Sequence, residues 1–199
     1  MRVVLFDLGG VLVRLGGIEE FGALVGTSAE DEIWRIWLRS GAVRRYERGL
    51  CTREEFARSA VEEFGIDLTP EAFLERFLSW PKGLFAGAAT LVGSVREDVH
   101  RAVLSNTNEM HWREQRDSAV IQQLFESHFP SHLLGLVKPD AAIYEHVVEV
   151  LQCPAREILF LDDNQINVEG ARAVGLTAQR AVGVEQAREI LAAYDLLER

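Results

Sequence analysis

Three short runs in this chain each stop abruptly on a polar residue: VVLF at Asp7, RAVL at Ser105, and ILFL at Asp162 and Asp163. Runs of four residues, apolar but for Arg101, have the length and texture of a strand buried on both faces. From residue 86 onward such runs alternate with helical patterns, which specifies an α/β fold built on a doubly wound parallel sheet. Ligands bind beyond the carboxyl ends of the strands in sheets of this kind. The polar stops therefore fall where a site is expected, together with Lys138, which follows LLGLV and precedes Pro139 and a helix.

The rest of the chain divides by texture. Residues 1–14 read as a strand and a turn, and residues 15–85 carry only helical signals. In the segment TSAEDEIWRIWLRS, Thr27 or Ser28 is the expected N-cap. Thr52 and Glu55 form a capping-box pattern, and Thr69 precedes Pro70 at a first helical position. Downstream, residues 86–95, 120–129, 140–151, 166–175 and 184–197 read as helices. Residues 101–106, 157–163 and 176–182 read as strands. A helical insert is thus expected after the first strand. Its two crossings, near Gly16-Gly17 and at residues 85–89, have glycines suited to hinges. The aromatic residues Trp34, Trp37, Phe56, Phe64, Phe73, Phe77 and Trp80 recur at helical spacing and are expected to fill the insert's core.

Composition narrows the function. A net charge of −10 over 199 residues speaks against a nucleic-acid partner or an anionic membrane surface. No apolar stretch has the length of a membrane span or the character of a secretory signal, so the expected location is cytoplasmic. Cys51 and Cys153 are expected to be reduced thiols. A homodimer is compatible with the sequence.

Singly, each polar stop has an ordinary explanation: a turn, a helix cap, a solvated lysine. Together they make a coherent chemistry. Asp7, Asp162 and Asp163 form a hard oxygen site suited to Mg²⁺. Their three negative charges balance Mg²⁺ plus Lys138, so a phosphate meets a neutral site. An aspartate can attack phosphorus and form an aspartyl-phosphate that water hydrolyses. The metal, Lys138 and the Ser105 hydroxyl then hold the charge of the transferring group.

In order and spacing, LFDLGGVL, VLSNTN, GLVKPDAAIY and LFLDDNQINVEGARAVG resemble the four motifs of the haloacid dehalogenase (HAD) superfamily, over the whole chain. The resemblance implies a Rossmannoid core of residues 1–14 and 86–199. It also implies a C1-type helical-bundle cap at 15–85, like that of dehalogenases and the phosphatase domain of soluble epoxide hydrolase. It casts Asp7 as nucleophile and metal ligand, Ser105 as phosphate binder, Lys138 as charge stabiliser, and Asp162 and Asp163 as metal acids. Which of the two acids ligates directly is left open.

Gly9 departs from the pattern, because most phosphatases of the family carry there a second aspartate as general acid. Its backbone carbonyl can still serve the metal, but a missing general acid costs about 10²–10⁴ in rate. The motifs resemble the branch that contains bacterial glucose-1-phosphate phosphatases, whose anomeric leaving group needs less protonation. The leading reading is a Mg²⁺-dependent hydrolase of a small phosphate monoester, a sugar phosphate among the candidates. The others are a non-catalytic module binding a phospho-ligand or a protein, and a 2-haloacid dehalogenase. Against the dehalogenase stand the doubled acid and the absence of the tyrosine usual at position 9. Near the motifs, Arg14, Asn106, Asn108 and Asn167 are expected to line the site. His111 is a candidate substitute proton donor. Arg45, Tyr46 and Arg48 are candidates to face the cleft from the insert, and Trp112 is expected in the core.

Overall fold

The computed structural model describes residues 1–198. The chain starts with β1 (Val3–Phe6) and β2 (Val13–Leu15). Five helices follow: α1 (Gly17–Val25), α2 (Glu30–Arg39), α3 (Gly41–Glu47), α4 (Arg53–Phe64) and α5 (Pro70–Leu78). Next come β3 (Pro81–Leu84), α6 (Ala88–Gly93), β4 (His100–Ser105), α7 (Glu109–Glu114), α8 (Ser118–Leu124), β5 (Ser127–Pro130) and α9 (Ser131–Leu134). The chain then runs through α10 (Ala141–Leu151), β6 (Ile158–Asp162), α11 (Gln165–Ala173), β7 (Thr177–Arg180) and α12 (Gly183–Ala193).

Five strands form one parallel sheet in the order β5-β4-β1-β6-β7. Alternate residues of β1 feed two cores. Val4 and Phe6 pack with α6 and α12 through Leu91, Val92, Ala187 and Leu191, while Val3 and Leu5 pack with α10 and α11 through Ile143, Val147 and Val168. Both faces are covered, which is why the strands read as unbroken apolar runs rather than alternating ones.

Three expectations need correction. Residues 120–129 are not one helix: α8 ends at Leu124, and Ser127–Pro130 pairs in parallel with β4. Only four residues long, half polar and on the sheet edge, β5 lacks the apolar run that marks a buried strand. Lys138 does not end a strand either. Gly135, with φ +72°, terminates α9, and the lysine sits in the loop beyond. Finally, Ala29 is the N-cap of α2. Thr27 instead accepts from the Ala29 amide at 3.3 Å and donates to Glu32 at 2.7 Å.

Helices α1–α5 enclose an aromatic cluster in which Phe21, Trp37, Phe56, Phe73, Phe77 and Trp80 are buried. The local signals act as expected: Thr52 makes a full capping box, and Thr69 caps α5 with Pro70 in its first turn. The two crossings, however, adjoin strands: β2 ends just before Gly16 and β3 just before residue 85. β2 and β3 pair antiparallel, and the Gly16 amide donates to the Trp80 carbonyl at 2.9 Å. A Cβ on Gly17 would run into the Trp80 ring, so the missing side chain permits close packing here.

Polar contacts also tie this bundle to the sheet domain. Arg44 and Arg48 of α3 both reach Asp140 Oδ2, at 2.7 and 2.6 Å. Arg53 bridges to Glu109 and Glu114 on α7, and His111 Nε2 meets the Phe77 carbonyl at 2.8 Å.

Candidate active site

Strand register assembles the site. Phe6 lies opposite Val103 on one side and Leu161 on the other. The next residue, Asp7, therefore comes level with the ends of β4 and β6, which are Ser105 and Asp162. Lys138 enters from the loop after α9 with only 2% of its surface exposed. Its ammonium lies 2.8 Å from Asp7 Oδ1 and 2.6 Å from Asp162 Oδ2, above the Phe160 ring. A lysine is buried this deeply only when paired. Burial alone would lower its pKa, but Asp162 and Asp7 hold it above the ordinary value and keep it charged.

Asn106 sets the lysine in place. Its Oδ1 accepts from the Lys138 amide at 2.8 Å and its Nδ2 donates to the Lys138 carbonyl at 3.1 Å. Both ends of the amide are thus used on the backbone, and Asn106 lines the site as a positioning residue. Buried Ser131 steadies the same loop, accepting from the Thr107 amide and donating to its carbonyl, both at 2.9 Å.

The two adjacent acids have different surroundings. Asp162 holds Lys138, accepts from the Asn164 amide at 2.8 Å, and receives the Asn167 Nδ2 at 3.1 Å on each oxygen. Among the described residues, no donor from another residue reaches the Asp163 carboxylate. It faces Gly10, whose φ of +68° and missing Cβ make room for it. Oxygens of Asp7, Asp162 and Asp163 lie within 4.8 Å of one another. Burial, against the pull of Lys138 and with the push of Asp162, raises Asp7 to a pKa of about 7. Burial and both neighbouring acids raise Asp163 to about 8.

Three carboxylates share one ammonium, and the surplus charge falls on the two acids with open coordination. That donor set fits a hard divalent cation. In the turn after β1, the Gly10 amide donates to Val13, and the Leu12 and Val13 amides donate to Leu8. The Gly9 carbonyl is left out of this pattern and remains available as a ligand.

A cavity of about 140 Å³ opens over these groups. Its sheet side is polar. Its bundle side is made by Ile18, Trp34, Trp37, Leu38, Phe77 and Trp80, so aromatics expected only as bundle core also form a wall. Within that wall the Trp80 indole N–H is buried with no partner among the described residues, and one carboxyl, Glu47, faces in.

Several candidates lie elsewhere. Arg14 is exposed and lines a neighbouring cleft with Thr27, Glu30 and Val182. Arg45 is exposed, Arg48 is held by Asp140, and the Tyr46 ring stacks on Phe56 at 4.4 Å inside the bundle. Trp112 is buried in the core. His111 borders the cavity but is a poor proton donor. Its Nε2–H is given to the Phe77 carbonyl, its Nδ1 accepts from Asn108 at 3.2 Å, and burial lowers its pKa to about 4.

Glu47 was not singled out by the sequence reading. Its signal was there: Ala42, Val43 and Tyr46 mark the buried face of α3, and position 47 continues that face.

The haloacid dehalogenase-like hydrolase model matches residues 1–175. A sesquiterpene phosphatase of Aspergillus oryzae is 26% identical over 192 residues, covering 88% of this chain and 87% of that one. A D-ribitol-5-phosphate phosphatase of Bacteroides thetaiotaomicron is 23% identical over 199 residues, covering 96% and 97%. The crystal structure of a HAD family enzyme from Bacteroides thetaiotaomicron, in complex with magnesium and inorganic phosphate, aligns with a TM-score of 0.66 at 25% identity. The alignment covers 90% of this chain and 93% of that one. With the motifs, the sheet order and the site in agreement, the chain belongs to the haloacid dehalogenase-like hydrolases.

Proposed function

We propose that this hydrolase removes phosphate from a small monoester through an aspartyl-phosphate on Asp7, with Mg²⁺ held by Asp7, Asp163 and the Gly9 carbonyl. One observation carries the reading: Lys138 is clamped between Asp7 and Asp162, while among the described residues no donor from another residue reaches the Asp163 carboxylate. Asp7 attacks phosphorus, and Lys138 and the Ser105 hydroxyl hold the phosphoryl oxygens. When bound, the ion supplies neutralisation of phosphate charge. The magnesium and phosphate complex of the Bacteroides enzyme supports this assignment. A dehalogenase has no use for a third carboxylate, and the three clustered acids disfavour that reading.

The cavity wall bears on the alcohol released. Apart from Glu47 and the Trp80 N–H it is apolar, which suits a compact hydrophobic or aromatic alcohol better than a sugar. The sesquiterpene phosphatase relative agrees with this side of the site. The substrate is then a diffusible small molecule, neither nucleic acid nor membrane.

Hydrolysis of p-nitrophenyl phosphate tests the proposal. Turnover is expected with Mg²⁺, none in Asp7→Asn, and none in excess chelator. Wild-type rates in either condition would overturn the mechanism. Failure to hydrolyse any phosphate ester with Mg²⁺ present would favour the non-catalytic module.

A further inference from the structure

We infer that Glu47, reaching in from the helical bundle, is the proton donor to the leaving group and replaces the side chain that Gly9 lacks. The inference rests on the phosphatase reading above. Glu47 is the last residue of α3, 9% exposed, and opens into the same cavity as Asp7, Ser105 and Lys138. It is the one carboxyl among the described residues that the bundle contributes to this wall. Of the guanidiniums near it in sequence, Arg44 and Arg48 are both committed to Asp140 and Arg45 is exposed. Its hydrogen-bonding neighbour is the Trp37 indole of α2. The charged groups it senses are Lys138 and Asp7 across the cavity and Arg44 on its own helix.

A carboxyl buried without a paired cation is costly, and a leucine or methionine would pack more cheaply beside Val43 and Tyr46. Its retention is explained by a job at the cavity. Burial, opposed by the Trp37 hydrogen bond, raises its pKa to about 7, so a protonated fraction persists at neutral pH. The other acids of the site are committed: Asp162 to Lys138, Asp163 and Asp7 to the ion and the attack. His111 holds its proton on the Phe77 carbonyl.

The step balances. As an Asp7 oxygen bonds to phosphorus, the P–O bond to the alcohol breaks and its electron pair stays on the alcohol oxygen. The Glu47 proton moves to that oxygen and leaves a carboxylate. In the second step the carboxylate takes a proton from the water that attacks the aspartyl-phosphate, which restores Glu47 and frees phosphate.

The test compares Glu47→Gln with wild type on an alkyl phosphate and on p-nitrophenyl phosphate. A donor matters only for the poor leaving group. The expected loss in kcat is about 10²-fold or more for the alkyl ester and less than about fivefold for the aryl ester, with KM little changed. The fall in alkyl-ester kcat as pH rises past neutrality should disappear in the variant. Equal losses on both esters, or none on either, would overturn the inference. If wild type hydrolyses neither ester, the phosphatase reading fails first, and the two failures are thereby told apart. Should Glu47→Gln not fold, Glu47→Asp keeps the acid but retracts it by one methylene. It is then expected to lose alkyl-ester turnover selectively, and an unselective loss would count against the donor role.

Discussion

Asp162 and Asp163 are neighbours in sequence with different tasks. Asp163→Asn is expected to raise the Mg²⁺ requirement at least tenfold with little change in folding, as read from Mg²⁺ titrations of activity. Asp162→Asn removes one of the two carboxylates on a buried ammonium and should cost about 3 kcal/mol of stability, as well as kcat, as read from denaturant melts. At Gly9 an added Cβ would lie 2.9 Å from Leu15 Cδ1, so an aspartate fits only if that flexible side chain gives. Gly9→Asp in the Glu47→Gln background should then recover part of the lost alkyl-ester turnover, in the same two-ester assay. The strand-end acids and Ser105 were legible because a polar residue closing an apolar run is a local signal. Glu47 was harder to read: it continues the face marked by Ala42, Val43 and Tyr46, but a glutamate among arginines on a helix also fits a solvated face. Its burial and its place in the cavity wall show that it points inward.

Among the elements, one polar tie between bundle and sheet domain runs from α3 to Asp140, two residues past Lys138. The partners are about one-third exposed, so their worth in stability is small, about 1 kcal/mol or less. Their effect on position is larger, because the same helix carries Glu47. Asp140→Asn should speed hydrogen exchange in α3 and raise KM more than it lowers kcat. Unchanged exchange would mean that the aromatic packing alone holds the helix. Helix ends were well foretold wherever a cap did the work, as at Thr52 and Thr69. The β2–β3 ribbon was hidden, because strands of three or four residues containing Pro81 and Gly83 carry no periodicity. Pairing of two segments distant in sequence is a tertiary fact.

Across the whole molecule, His111 makes stability depend on pH. Folded, its pKa is about 4; unfolded, it takes the ordinary value near 6.5. Between these values the unfolded chain binds a proton that the folded chain refuses, so His111 favours folding at neutral pH and its contribution is lost as pH falls through that window. Asp7, Glu47 and Asp163, with raised values, work in the opposite sense: they favour folding at low pH and lose their contribution as pH rises past about 7–8. His111 is therefore isolated by difference. From pH 6.5 down to 4 the urea midpoint of wild type should fall relative to that of His111→Gln, whatever the common trend of the two. The α/β architecture was legible because both faces of the sheet are covered, and the edge strand β5 was missed because its four residues are half polar and lack an apolar run.

The central place of β1 has a consequence for synthesis. Its two partners begin at His100 and Ile158, so the first strand to leave the ribosome waits longest for its neighbours. Helices α1–α5 lie between, and most of their aromatic contacts are with one another, across shorter stretches of chain than those that separate β1 from its partners. Local contacts form quickly and long-range pairings slowly. The bundle is therefore set to take shape on the nascent chain before Asp7 meets Asp162, and the site can assemble only after β6 has been made.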